Sequence, residues 1–300
     1  MKKKTYLFAL MAMVLTLGSC SDNENGIGGE TSKYITVSTS IGNMTRVATD
    51  EKGGQTFEEG DEISVYAWTG APTVAPETSE RVVNNAINKL TNGSWVSTPQ
   101  MLWKNNRDKH YFIGVYPISA ISDLSAGEYT FDVNKQTESD LLVAVNKDGL
   151  SYNVDEQQTV PLTFTHVMAK LVVNLTYKNQ WGGIPTVEKV VVGNAAKEAT
   201  INYLTKVVTP STTAKEDFSL PEITENTKYV SVIIPQEDVK QLTIVIGGKN
   251  FVYDNGTPFK LESGKITTVN LEVGRDEIKL GDVKITDWEN GSTFSGEALN

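Results

Sequence analysis

Val160–Pro161–Leu162–Thr163–Phe164–Thr165–His166–Val167–Met168–Ala169–Lys170–Leu171–Val172–Val173–Asn174–Leu175–Thr176–Tyr177 is the longest strand-like run in the chain. Leu162, Phe164 and Met168 mark one face at its start; Val167, Ala169, Leu171, Val173 and Leu175 mark the other face later. Side chains on a strand repeat every second residue. Such a run therefore changes faces only at a bulge or where the strand crosses from one sheet to another. Corners of β-sandwiches do this, and the run predicts an all-β protein.

The sequence on both sides agrees. Tyr34 to Ile41 alternates, with Ile35, Val37 and Ile41 on one face and Tyr34, Thr36, Ser38 and Ser40 on the other, as in a half-buried strand. Gly60–Asp61 turns into Ile63–Ser64–Val65–Tyr66–Ala67–Trp68, which alternates again. Arg81 to Leu90 fits a short helix or a strand, and the turn signal at Asn92–Gly93 favours the strand. His110–Pro117, Tyr129–Val133 and Leu141–Val145 continue the series. Beyond the long run come Glu188–Val192, Thr200–Leu204, Tyr229–Ile234, Leu242–Ile246, Phe251–Tyr253 and Lys265–Val273, then a last candidate from Glu277 to Trp288. Strands at this spacing suit sandwiches. The polar stretch Ser151 to Gln158 is the best boundary, so two tandem β-sandwich domains are expected, 33–157 and 158–300.

Ahead of them, Lys2, Lys3 and Lys4 precede an apolar segment, Tyr6 to Leu17, and small residues lead into Cys20, the chain's only cysteine. This is the build of a secretory signal peptide, too short for a transmembrane helix. Leu17–Gly18–Ser19–Cys20 resembles a bacterial lipobox, which implies cleavage of residues 1–19 and lipid on Cys20. Several acyl chains on one residue exceed the two signals that stable anchoring requires. Residues 20–32 are polar, acidic and Gly-rich, a flexible tether. An acidic stretch in that place is similar to the signal for display on the outer face of the outer membrane in Bacteroidetes lipoproteins.

The remaining 281 residues are enough for a sizeable core. Losing three lysines leaves 24 basic against 37 acidic side chains, a net charge of −13. That balance argues against nucleic acid as a partner, because phosphate binding needs Lys and Arg clustered on one face. With Cys20 lipidated, the folded part has no disulfide and relies on burial. Catalytic parts are few. His110 and His166 are the only histidines, and neither has a spacing that puts two imidazoles on one metal. No nucleophile elbow, free thiol or phosphate loop is present, so no catalytic residue, metal or cofactor is assigned. Glu58, Glu59, Asp61 and Glu62 cluster beside a turn, where exposed charge is the ordinary reading. Trp68 and Trp103 lie in apolar surroundings and read as core, whereas Trp95, Trp181 and Trp288 flank loops and stay open.

Four motifs, spread over nearly the whole chain, resemble those of the Bacteroidales fimbrillin family, which builds type V pili. They are the lipobox ending at Cys20; Met44–Thr45–Arg46–Val47–Ala48, with Val47 where the family has alanine; Thr56–Phe57–Glu58–Glu59–Gly60–Asp61–Glu62–Ile63–Ser64–Val65–Tyr66; and Leu162 to Leu171. The resemblance implies two transthyretin-like sandwiches on a surface-exposed outer-membrane lipoprotein, and cleavage after Arg46. It also implies a structural or tip/accessory pilus subunit that acts in cell adhesion. Losing the segment before the arginine removes a strand, and a strand from another pilus subunit fills the gap. Ligands on host or bacterial surfaces are the further partners it implies. Within 277–288, Ile278 and Leu280 form one apolar pair and Val283 and Ile285 another, separated by Gly281–Asp282, so this candidate donor segment reads as two short strands or one bulged strand. Its closeness to Lys265–Val273 favours packing within its own chain, as in a tip or accessory subunit. The alternative is a surface glycan-binding lipoprotein of a polysaccharide uptake system, which needs three or more aromatics coplanar on one open face. A weaker third is a glycosidase accessory domain, which needs two carboxylates facing across a cleft.

Overall fold

The computed structural model describes residues 33–42, 56–254, 256–275 and 278–288. The strands, in chain order, are β1 (Thr36–Ile41), β2 (Glu62–Thr69), β3 (Arg81–Thr91), β4 (Ser94–Thr98), β5 (His110–Tyr116), β6 (Gly127–Thr130), β7 (Leu142–Leu150) and β8 (Thr159–His166). After a break at Val167–Met168 come β9 (Ala169–Tyr177), β10 (Val187–Ala196), β11 (Glu198–Asn202), β12 (Val207–Pro210), β13 (Lys215–Ser219) and β14 (Glu222–Thr224). The last are β15 (Lys228–Ile233), β16 (Gln241–Ile246), β17 (Lys249–Asp254), β18 (Lys265–Val273) and β19 (Ile278–Asp287). The fold is all-β, as the alternation predicts, and Arg81 to Leu90 is strand.

Four sheets form. A seven-stranded sheet runs β1-β8-β7-β5-β2-β3-β4, and a five-stranded sheet runs β14-β15-β9-β18-β19. The others are β13-β10-β16-β17 and β12-β11-β6. Two pairs are parallel, β1 with β8 and β9 with β18. The long run thus changes faces by crossing between sheets: β8 closes the seven-stranded sheet beside β1, and β9 is the middle strand of the five-stranded one. On β8, Val160, Leu162 and Phe164 are buried; on β9, Ala169, Leu171, Val173 and Leu175 are. The slip of one residue falls at Val167–Met168, both fully enclosed. The change of sheet therefore lies downstream of the polar stretch 151–158.

The two faces of the seven-stranded sheet belong to different cores. Ile63, Val65, Ala67, Phe112, Ala144, Leu162 and Phe164 pack in the smaller one. From the opposite face of the same strands, Tyr66, Trp68, Ile113, Val115 and Val143 join the larger core, with Leu171, Val190, Ile244 and Leu271. β2 is consequently buried on both sides rather than half-buried. β6 links the halves in another way, pairing with β11 across the change of sheet.

Gly114 on β5 shows how tight the smaller core is. A Cβ there would lie 2.6 Å from Cζ of Phe164, whose ring is held edge-on by Phe57 with centroids 5.1 Å apart. Gly114→Ala is expected to destabilise the fold by about 1–3 kcal/mol through overpacking. A urea unfolding midpoint equal to that of the parent would refute this account.

Candidate functional site

β1 is the element whose placement bears on function. Ile35, just ahead of it, and Val37 and Ile41 within it are buried, with the half-buried Thr39 between them on the same face, while Ser38 and Ser40 face out. Among the described strands β1 pairs with β8 alone, in register from Thr36 opposite Thr159 to Ile41 opposite Phe164. Hydroxyls reinforce the ladder, Thr36 with Thr159 at 3.2 Å and Ser40 donating to Thr163 at 3.2 Å. Just ahead of β1 the chain is also tied to the loop after β4. The Ile35 N–H donates to the Met101 carbonyl at 2.9 Å, and Trp103 N–H to the Lys33 carbonyl at 3.2 Å.

From Thr36 to Ile41 the outer edge of β1 has no strand beside it among the described residues and opens on a groove of about 940 Å³. Phe57, Leu90, Ser94 and Trp95 form the facing wall, and no lining residue is charged. One bridge crosses it, Trp95 Nε1 donating to Thr39 Oγ1 at 3.0 Å. Phe57 sits at the hub of the aromatic wall, edge-on to Trp95, Tyr116 and Phe164 with centroids 5.1–5.4 Å apart. β1 is therefore an edge strand with a buried inner face, a one-sided ladder and a neutral groove alongside.

Cys20, Arg46 and Val47 lie outside the described residues, as does the tether. The segment 43–55 that carries Arg46 joins Gly42, at the end of β1, to Thr56, which lines the groove. Ile278, Leu280, Val283 and Ile285 all fall on β19, a single strand antiparallel to β18 with an irregularity between Val269 and Leu271. Ile278 and Leu280 pack partly against the larger core; Val283 and Ile285 are exposed.

The other candidate groups are engaged in structure. The Asp61 carboxylate accepts from the Glu58 N–H at 2.7 Å, Glu59 from the Asn92 N–H at 2.8 Å, and Glu62 pairs with Lys89 at 3.1 Å. Among the described residues no three His, Cys, Asp or Glu groups converge as a metal site. Trp68, Trp103 and Trp288 are buried, Trp95 and Trp181 half-buried, and Tyr34 is the one exposed aromatic among the described residues. An open face of three coplanar aromatics is absent from that set. His166 Nδ1 lies 2.8 Å from Asp140 Oδ1, both buried. Asp140 is separated from its partner by β7, and no spacing in the sequence announces the pair.

His110 is enclosed, accepting at Nε2 from the Lys104 N–H at 3.0 Å, so Nδ1 donates to the Asp108 carbonyl at 3.1 Å. Burial holds its pKa below the ordinary 6.5, against the opposing pull of Asp108. The folded chain then binds fewer protons than the unfolded one. The stability that neutral His110 contributes is complete above pH 6.5 and is lost as pH falls from there through the lowered folded value. An NMR titration of the His110 ring should show a midpoint under 6.5; one at or above it refutes the assignment.

A family model described as fimbrillin-like matches residues 45–288. No curated protein matches. Among solved structures, a candidate cell adhesion protein from Bacteroides uniformis is similar at 18% identity and a TM-score of 0.64, covering 86% of this chain and 100% of that one. Another candidate cell adhesion protein, from Bacteroides ovatus, is similar at 16% identity and a TM-score of 0.61, covering 85% and 98%. A fimbrial protein from Bacteroides vulgatus is similar at 12% identity and a TM-score of 0.52, covering 84% and 99%.

Proposed function

The chain belongs to the fimbrillin-like family, and from that membership we propose that it is a surface lipoprotein acting as a structural or tip/accessory subunit of a type V pilus in cell adhesion. The family is not one of enzymes, and the reading assigns no catalysis. In it, lipid on Cys20 holds the precursor at the outer membrane, and a protease cuts after Arg46. Another subunit's strand then takes the place of β1.

The observation that carries the reading is the one-sided hold on β1. A cut within 43–55 leaves β1 attached only through noncovalent contacts: its ladder to β8, its ties near Met101, and the burial of Ile35, Val37 and Ile41. Each of those side chains is worth about 1.5–3 kcal/mol on burial. Together they rival the few kcal/mol that separate a folded domain from an unfolded one. The cut strand thus stays docked, and the space it leaves on departure must be refilled by a strand of similar alternation. Main-chain pairing supplies affinity there, and the inward pockets supply selection.

Arg46→Ala is expected to leave a folded monomer that does not polymerise, and N-terminal sequencing of the surface-extracted parent should begin at Val47. Polymers of normal length from the variant, or another N-terminus, would sink the proposal. Cys20→Ala should yield an unanchored product; a variant that still partitions into detergent and appears on intact cells refutes the lipid assignment.

A further inference from the structure

From Ile278 onward the side chains of β19 are half-buried or exposed, until the residue that follows the strand. That residue, Trp288, is 8% exposed. Its ring lies flat on His166, with centroids 3.9 Å apart and planes 4° from parallel. The Lys170 ammonium sits 5.5 Å from the ring centroid. Burial pushes the Lys170 pKa down, partly offset by the Asp140 carboxylate that also holds His166. The main chain is fastened at the same point: Trp288 N–H donates to the Gly264 carbonyl at 2.9 Å, and Gly264 N–H to the Met168 carbonyl at 2.9 Å. Lys265 pairs with Asp287 beside it.

The near end of β19 is tethered to β18 through residues 274–277, so the strand can peel only from its far end. Ladder hydrogen bonds released there exchange one partner for water at little net cost. The indole has no such exchange, because its apolar surface must be returned to water. Among the described residues, the largest apolar hold at the far end of the strand is therefore this one side chain; Ile278 and Leu280 pack partly on the core only near the tethered end.

We infer that Trp288 is the latch of the C-terminal strand, the residue that specifies whether β19 stays on its own β18 or becomes available to pair with another subunit. The second half of that statement rests on the strand-addition reading above; the first half does not. The stack with His166 supplies the hold, and the indole N–H does not contribute. Trp288 Nε1 is buried with no hydrogen-bond partner among the described residues. Phenylalanine should consequently serve in its place, whereas alanine should not.

The test uses the full chain with Cys20→Ala, so that no native thiol competes, and with Thr268→Cys and Lys284→Cys, which stand opposite each other in the β18–β19 register. With Trp288 intact, oxidation should give a crosslink within one chain. Removing a large buried aromatic shifts an opening equilibrium by about a hundred-fold or more. Trp288→Ala should therefore raise hydrogen exchange of β19 amides by that factor while β9 and β5 keep their protection, and should convert the crosslink to one between chains. Trp288→Phe should behave as the parent. Unchanged β19 protection in Trp288→Ala overturns the latch. So does loss of protection throughout the chain, which would make Trp288 an ordinary core residue, and so does failure of Trp288→Phe to restore the hold. If β19 is released yet no crosslink forms between chains, the latch stands and the strand-addition reading falls.

Discussion

A strand that must bury first one of its faces and then the other has to change sheets, and the corner at Val167–Met168 where this happens organises the molecule. The corner is fixed from both sides. Val167 N–H donates to the Leu141 carbonyl at 3.0 Å, while Ser263 Oγ donates to the Val167 carbonyl at 2.8 Å and Gly264 N–H to that of Met168. Leu141 leads into β7 of the seven-stranded sheet, and Ser263 and Gly264 lead into β18 of the five-stranded one. Moving the slip by one residue would invert every inward side chain of β8 or of β9.

This constraint was written in the sequence because it is local. Leu162, Phe164, Ala169 and Leu171 carry their own phase, and phase is what a period-two pattern reports. The same holds for β1, whose Ile35, Val37 and Ile41 point inward as their spacing requires, and for β19, whose bulge falls at Gly281–Asp282. What the pattern does not report is which strands become neighbours. The parallel pairing of β1 with β8, across more than a hundred intervening residues, is a long-range choice. So is the recruitment of β6 by β11. The groove beside β1 is the remainder of that choice, and its walls, β1 on one side and Phe57 with Leu90 and Trp95 on the other, lie too far apart in the chain for a strand-length window to hold both.

Single residues divide along the same line. Trp68 and Trp103 sit among apolar neighbours and are buried accordingly. Trp288 is followed by Glu289–Asn290–Gly291 and looks like a loop residue; its burial comes from His166 and Lys170, far away in the chain. His166 in turn is oriented by Asp140, which lies outside its own strand. A side chain buried by distant partners leaves no periodic trace, which is why the latch is visible only once the fold is known.

Both ends of the described chain attach to the same run, and they do so in sequence along it. The β1 ladder ends where Gly42 N–H donates to the Phe164 carbonyl at 2.7 Å. The Trp288 stack begins at the next inward residue of β8, His166. Departure of β1 would uncover the flank of β8 as far as Phe164. It would leave His166 packed beneath Trp288, and the Leu141, Ser263 and Gly264 bonds at the corner intact. The edge offered to a replacement strand would then be held in place by contacts that the departing strand does not make. Preorganisation of this kind lowers the ordering cost of binding, and it follows from placing the N-terminal strand and the C-terminal tryptophan on adjacent stretches of one crossing strand.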